Sequence, residues 1–334
     1  MDLKHIGTYC LLTCLVGLSC IAMINRAQPK TVAQTLIELG EKPAKHWIEQ
    51  QQVELVASGK HLVTQGWTTL PDGSKSRRIS KHFACIDCHN IEREDPVLSD
   101  SDPEARLDYC IENDLPFLPG TTLWGIVNRE TWYNDDYQKK YGTLVEPARN
   151  DLKEAIQLCA TECSQGRLLT DWEMEAVLHY LWSLELTMDD IQVNEPALRA
   201  SNSMGGPIQS ILLIKSKYLR ASPAHFAEPL MDSLRNHGTN GNPESGAEIY
   251  QRSCMHCHHS GGVTEFTLDM LKTDLQSMAN KSHGNGKQSA YNIIRKGTYA
   301  LEGYKPYMPL YPYERMSNKQ IEDLVAFFNS PMSE

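Results

Sequence analysis

Cys85-Ile86-Asp87-Cys88-His89 and Cys254-Met255-His256-Cys257-His258 are two copies of one pattern, Cys-x-x-Cys-His, in a chain of 334 residues. Two thiols three positions apart can bond to the two vinyl groups of a haem. The histidine that follows is then placed under the iron as its proximal ligand. A zinc knuckle would need two further ligands at close spacing, and a redox dithiol would need a βαβ setting. Neither context surrounds these motifs. Cys85, Cys88 and His89, and Cys254, Cys257 and His258, are therefore the expected attachment groups of two covalently bound haem c cofactors. His89 and His258 are the expected iron ligands.

Around the motifs, helix signals are frequent and strand signals scarce. No period-2 alternation is sustained and Val, Ile and Thr do not cluster, so the expected fold class is all-α. The motifs stand 169 positions apart (85 to 254), which suggests a tandem: a first domain over 31–190, a partly helical connector over 191–243, and a second domain over 244–334. Both domains close alike. Thr170-Asp171-Trp172-Glu173 reads as a capping box ahead of an aromatic amphipathic helix, and Ser317-Asn318-Lys319-Gln320 repeats it before Ile321 to Phe328. Each motif also follows a helical run with a small residue in it, Gly59 with Leu62 in one case and Gly246 with Ile249 and Tyr250 in the other. In the connector, the turn-rich patches Ser203 to Pro207 and Gly238 to Pro243 bracket a helix expected around Ile208 to Tyr218.

An entry helix crossing a terminal aromatic helix is the packing of class I cytochromes c, and the chain resembles them in both halves. Each domain is accordingly expected to fold alone, so that a fragment starting near Asn242 would take up one haem. The resemblance also implies a sixth ligand for each iron. In the second domain Met308, in Lys305-Pro306-Tyr307-Met308-Pro309-Leu310, stands where these cytochromes place the axial thioether. Met316 is the weaker candidate. His/Met ligation favours ferrous iron.

The first domain has no methionine at that place. Its stretch Ala155 to Arg167 resembles the one in dihaem thiosulfate dehydrogenases and in the haem subunit of the sulfur-oxidising system. There a cysteine thiolate replaces the methionine, with a glycine and a basic residue further on. Cys159 with Gly166 and Arg167 fits. The lead-in Gly59 to Pro71 and the stretch Pro119 to Ile126 resemble the same group, and the likeness spans about half of the chain. The resemblance implies Cys159 as axial ligand, with Cys163 the other candidate. An acidic stretch from Ile91 to Leu118, carrying Cys110, looks inserted relative to that family. A disulfide from Cys110 to Cys159 or Cys163 is the rival use of these thiols. Arg129 and Arg167 fit an anion site near this haem or, more simply, a solvated surface.

Hydrophobic residues make up 41% and charged residues 22%, as in soluble globular proteins, and the net charge of −10 excludes nucleic acid as a partner. It permits steering toward a basic redox protein. Lys4, then a largely apolar run from Ile6 to Ile24, then Asn25 and Arg26, read as an export segment over 1–26. That segment is either a cleaved signal peptide or a retained membrane anchor, and it holds Cys10, Cys14 and Cys20. Both versions place the protein in the periplasm or elsewhere outside the cytoplasm. The expected function is electron transfer by a dihaem cytochrome, with no side chain singled out as catalytic. The alternative is an oxidoreductase acting on a small sulfur anion at a Cys-ligated haem. A dihaem peroxidase, which needs an open iron site, fits the Met-Pro pattern of the second domain poorly.

Overall fold

The computed structural model describes residues 29–230, 238–264, 267–268, 289–297 and 308–330. The export segment with Cys10, Cys14 and Cys20, and the stretch Lys305-Pro306-Tyr307 ahead of Met308, lie outside the described residues. Among those described, regular structure is helical and strand pairing is confined to isolated bridges. In chain order the helices are α1 (Val32–Glu38), α2 (Val53–Gln65), α3 (Pro103–Glu112), α4 (Asp135–Tyr141), α5 (Leu152–Leu158), α6 (Asp171–Trp182), α7 (Glu195–Lys215), α8 (Pro243–Ile249), α9 (Ala290–Lys296) and α10 (Asn318–Asn329). No helix among the described residues is long and apolar enough to cross a membrane.

Two helix crossings organise the chain. In the first, α2 packs on α6. The capping box forms as expected: Glu173 N donates to Thr170 Oγ1 at 3.3 Å, and Thr170 N donates to the Glu173 carboxylate at 2.9 Å. This satisfies two amide groups that a helix start otherwise leaves unpaired. Gly59 sits at the crossing, where a Cβ would stand 1.9 Å from the Ala176 carbonyl oxygen. Only glycine lets the two backbones come this close. The second crossing repeats the first. Here α8 packs on α10, Ser317 and Gln320 form the box, and a Cβ on Gly246 would stand 2.0 Å from the Asp323 carbonyl oxygen.

Each crossing carries its own core. The first gathers Leu62, Val63, Trp132, Val177 and Leu181. The second gathers Ile249, Tyr250, Tyr291, Ile321 and Leu324, together with Leu107, Cys110 and Phe117 from the acidic stretch 91–118. That participation weighs against autonomy of residues 244–334, because a segment from the first half walls the core of the second. Polar contacts fasten it there: the Gln320 amide donates to the Pro103 carbonyl at 2.8 Å, and the Phe117 amide donates to the Arg252 carbonyl at 3.0 Å.

The connector is more than a spacer. Ile191, Val193, Ile214 and Tyr218 build a third core with Val32, Leu36 and Leu186, so α7 packs back beside α1. The expected helix near 208–218 is the second arm of α7, which already begins at Glu195. The predicted turn at Gly205-Gly206 is a kink within it, with Gly206 at φ 70° and Pro207 following.

Candidate haem sites

A cavity of about 1620 Å³, its open mouth included, lies beside the first crossing. Cys85, Cys88 and His89 line it together with Cys159 and Cys163, and most of the remaining lining is apolar. Cys85 to Asp87 form a single 3₁₀ turn. The Asp87 carboxylate holds that turn closed by accepting from the Ala84 amide at 2.7 Å. His89 is oriented through its Nδ1, which donates to the Thr121 carbonyl at 2.6 Å. This bond fixes the tautomer and leaves Nε2 as the free ligating nitrogen. Burial holds the imidazole neutral, against the smaller opposing pull of the Thr121 carbonyl and Glu94. Gly120 lies flat on the ring: a Cβ there would stand 2.5 Å from His89 Cε1 and 2.6 Å from the Cys88 carbonyl oxygen. The Pro119 to Ile126 stretch picked out in the sequence is thus the support of the histidine.

Opposite the motif, α5 runs into a wider turn over Cys159–Cys163 in which Ser164 N donates to the Cys159 carbonyl at 2.9 Å, five residues back. Positions four apart share a face in an ordinary helix and still do so in this wider turn. Cys159 and Cys163 therefore both line the cavity. Their side chains hydrogen-bond to each other, and Cys163 also receives the Tyr141 hydroxyl at 3.5 Å and that of Tyr133 at 3.8 Å. The Cys159 hydrogen bond comes first, and with the tyrosines and Lys140 it pulls the Cys163 thiol below its ordinary value, while Cys159 is pushed up. Sequence spacing favoured Cys159. The structure brings both into the cavity and gives Cys163 the richer set of donors. The one signal for this was the pair of tyrosines Tyr133 and Tyr141, which sequence reasoning did not connect to it.

The disulfide reading finds no support among the described residues. Cys110, Cys159 and Cys163 are all unpaired, and Cys110 lies in the second core, with its thiol 3.8 Å from the Pro116 carbonyl. Arg167 is not at the cavity either: it forms an ion pair with Glu173 at 2.6 Å and reaches the Arg77 carbonyl at 2.7 Å. Arg129, by contrast, donates to Thr121 Oγ1 at 3.0 Å beside His89, and burial lowers its pKa to about 10. Arg315 comes from the second half and lines the same cavity. Its guanidinium meets Glu94 at 2.8 Å, and Arg106 approaches that carboxylate at 3.7 Å, with all three side chains almost wholly buried. The Arg106 Nε has no partner. The buried Arg106 and Arg315, with the half-buried Arg129, face the carboxylates of Glu94 and Asp95, so a net positive charge is left that a further anion would offset. The two propionates of a haem would supply that charge. The apolar lining, the oriented histidine and the cationic edge fit the group.

In the second half, Tyr250–Cys254 form another widened turn, followed by a helical turn over Met255–His258. Burial raises the Cys254 and Cys257 thiols to about 12. The His258 carbonyl accepts from Leu268 N at 2.7 Å. Met308 packs its backbone on α9: a Cβ on Gly297 would stand 2.5 Å from the Met308 carbonyl oxygen. Met316 is 1% exposed and lies inside the second core, a packing position.

Residues 241–328 match the family model described as cytochrome C oxidase, cbb3-type, subunit III. The chain carries a c-type cytochrome domain. No curated protein and no solved structure matches the chain. The c-type cytochrome domain covers the Cys254 to His258 motif and Met308, and it implies covalently bound haem c and haem-based electron transfer. Cys254 and Cys257 would hold that haem and His258 would ligate its iron, which supplies reversible one-electron exchange when bound.

Proposed function

We propose that the protein is a dihaem c-type cytochrome that transfers electrons outside the cytoplasm, with tandem domains over 31–190 and 244–334. The observation that carries the reading is the second complete attachment set, outside the matched residues. Cys85, Cys88 and His89 line an apolar cavity, and His89 is already turned by Thr121 to present Nε2. The mirrored crossings at Gly59 and Gly246 support a tandem.

His89 would be paired with Cys159 or Cys163, and His258 with Met308. A thiolate stabilises ferric iron and a thioether ferrous iron, so electrons would run from the first site to the second. The acidic chain suits a basic redox protein as partner. The N-terminal segment would export the chain and either be cleaved or hold it at the membrane.

The haem-to-polypeptide ratio of the purified full chain, produced with a haem-attachment machinery, tests the reading. Two haems per chain would sustain it, and one would overturn it. Adding thiosulfate to the oxidised protein separates carrier from sulfur-anion oxidoreductase: a carrier stays oxidised.

A further inference from the structure

The two attachment motifs lie side by side, tied by one short segment that belongs to neither. Phe117–Thr121 runs between them and its backbone is hydrogen-bonded along its length. At one end the Phe117 carbonyl accepts from Ser253 Oγ at 2.8 Å and from the Tyr311 hydroxyl at 3.2 Å. Ser253 directly precedes Cys254. In the middle, the Leu118 carbonyl accepts from the buried Arg315 at 3.1 Å and from Arg106 at 3.4 Å. At the other end Gly120 N donates to the Cys88 carbonyl at 2.8 Å, and the Thr121 carbonyl accepts from His89 Nδ1 at 2.6 Å. Five residues therefore connect the neighbour of Cys254 to His89 of the first site.

The inner residues of the motifs also meet. One ring nitrogen of His256 meets the Ile86 carbonyl, and the other, Nε2, is buried without a partner. The Asp87 carboxylate acts on both His256 and Cys257, and Cys88 and Cys257 are near enough to feel each other's charge.

We infer that Phe117–Thr121 is a strap that holds the two attachment motifs edge to edge, with Ser253 and His256 as its positioning residues. The inference rests on the dihaem reading and adds to it which edges face. With haems bound, the strap would hold them close enough for one-electron exchange between the two irons, with no bond made or broken. Because the Phe117 carbonyl keeps Tyr311 as donor, loss of the Ser253 hydroxyl leaves it paired, and the fold is retained.

The test uses the full-length, haem-loaded protein and its Ser253→Ala, His256→Phe and doubly substituted forms, with Ser253→Thr and His256→Asn as conservative controls. Three quantities are read: haems per chain by denatured mass, the bisignate Soret circular dichroism of two close haems, and the dipolar broadening between the two oxidised irons by EPR. With two haems retained throughout, the double variant is expected to lose most of the Soret couplet and narrow the EPR lines, and its flash-induced transfer between the haems to slow several-fold. The conservative controls should keep wild-type signals. Two haems with an unchanged couplet and line width in the double variant would overturn the strap alone. A single haem in the wild type would overturn the dihaem reading and the strap with it.

Discussion

Replacing Phe117 with alanine removes from the second core a wholly buried ring that residues 244–334 do not supply. Phe117 is 0% exposed, and the Arg106 guanidinium stacks over it at 3.7 Å from the ring centroid. Truncating a buried phenylalanine costs about 3–5 kcal/mol, of which the cation–π contact accounts for about 1–2. Arg106, with its Nε already unpartnered, is left over a void. At about 1.4 kcal/mol per tenfold, the folded-to-unfolded ratio falls by roughly 10²- to 10⁴-fold. With a urea dependence of about 3 kcal/mol per molar, the midpoint drops by about 1–2 M. The probes can be separated, because all six tryptophans lie between Trp47 and Trp182. Tryptophan emission therefore follows the first half, while far-UV ellipticity follows both. Phe117→Ala should split the two transitions, the ellipticity moving to lower urea first, and Leu168→Ala at an exposed site should move neither. A Phe117→Ala midpoint within about 0.3 M of wild type would refute the claim that this segment walls the second core.

Other positions make separate demands. Gly120→Ala pushes a methyl into the His89 ring, so the first haem should lose its low-spin optical and EPR signature while the second keeps its own. Glu185 has an unpartnered buried oxygen, and burial raises its pKa to about 7 despite the Thr31 hydroxyl. An acid raised above its unfolded value of 4.5 contributes full stability below that pH and loses it as pH rises through about 7. Glu185→Gln should therefore flatten this dependence and stabilise the protein at pH 8 by about 1–2 kcal/mol, the residue being partly solvated, as chemical denaturation at several pH values would show. Met308→Ala should abolish the sulfur-to-iron charge-transfer band near the red edge of the oxidised spectrum. Met316→Ala should leave the band in place and cost about 2–5 kcal/mol of stability instead.

Local signals in the sequence carried through to structure wherever neighbouring residues decide the outcome. Thr170 with Glu173 and Ser317 with Gln320 cap the helices they were expected to cap, and Gly59 and Gly246 mark the crossings because only their own backbones limit the approach. The Pro119 to Ile126 stretch, picked out in the sequence only by its likeness, proves to meet Cys85–His89 in space. What stayed hidden depends on distant partners. The acidic composition of 91–118 gives no sign of burial, yet Leu107 and Cys110 on α3 and Phe117 beyond it are all packed in the second core. Arg315 and Arg106 look like surface charges until Glu94 is found buried between them. Cys163 was ranked below Cys159 because the spacing to Gly166 and Arg167 favours Cys159, and the tyrosines Tyr133 and Tyr141 that reach Cys163 come from a stretch distant in sequence.

The central claim is that one chain holds two haems through two complete sets of Cys, Cys and His. Intact mass of the denatured full-length protein tests it most directly, measured on the wild type, the Cys85→Ala/Cys88→Ala variant and the Cys254→Ala/Cys257→Ala variant. The account expects two retained haems in the wild type and one in each double variant. A wild-type mass with a single haem, unchanged when Cys85 and Cys88 are removed, would contradict it.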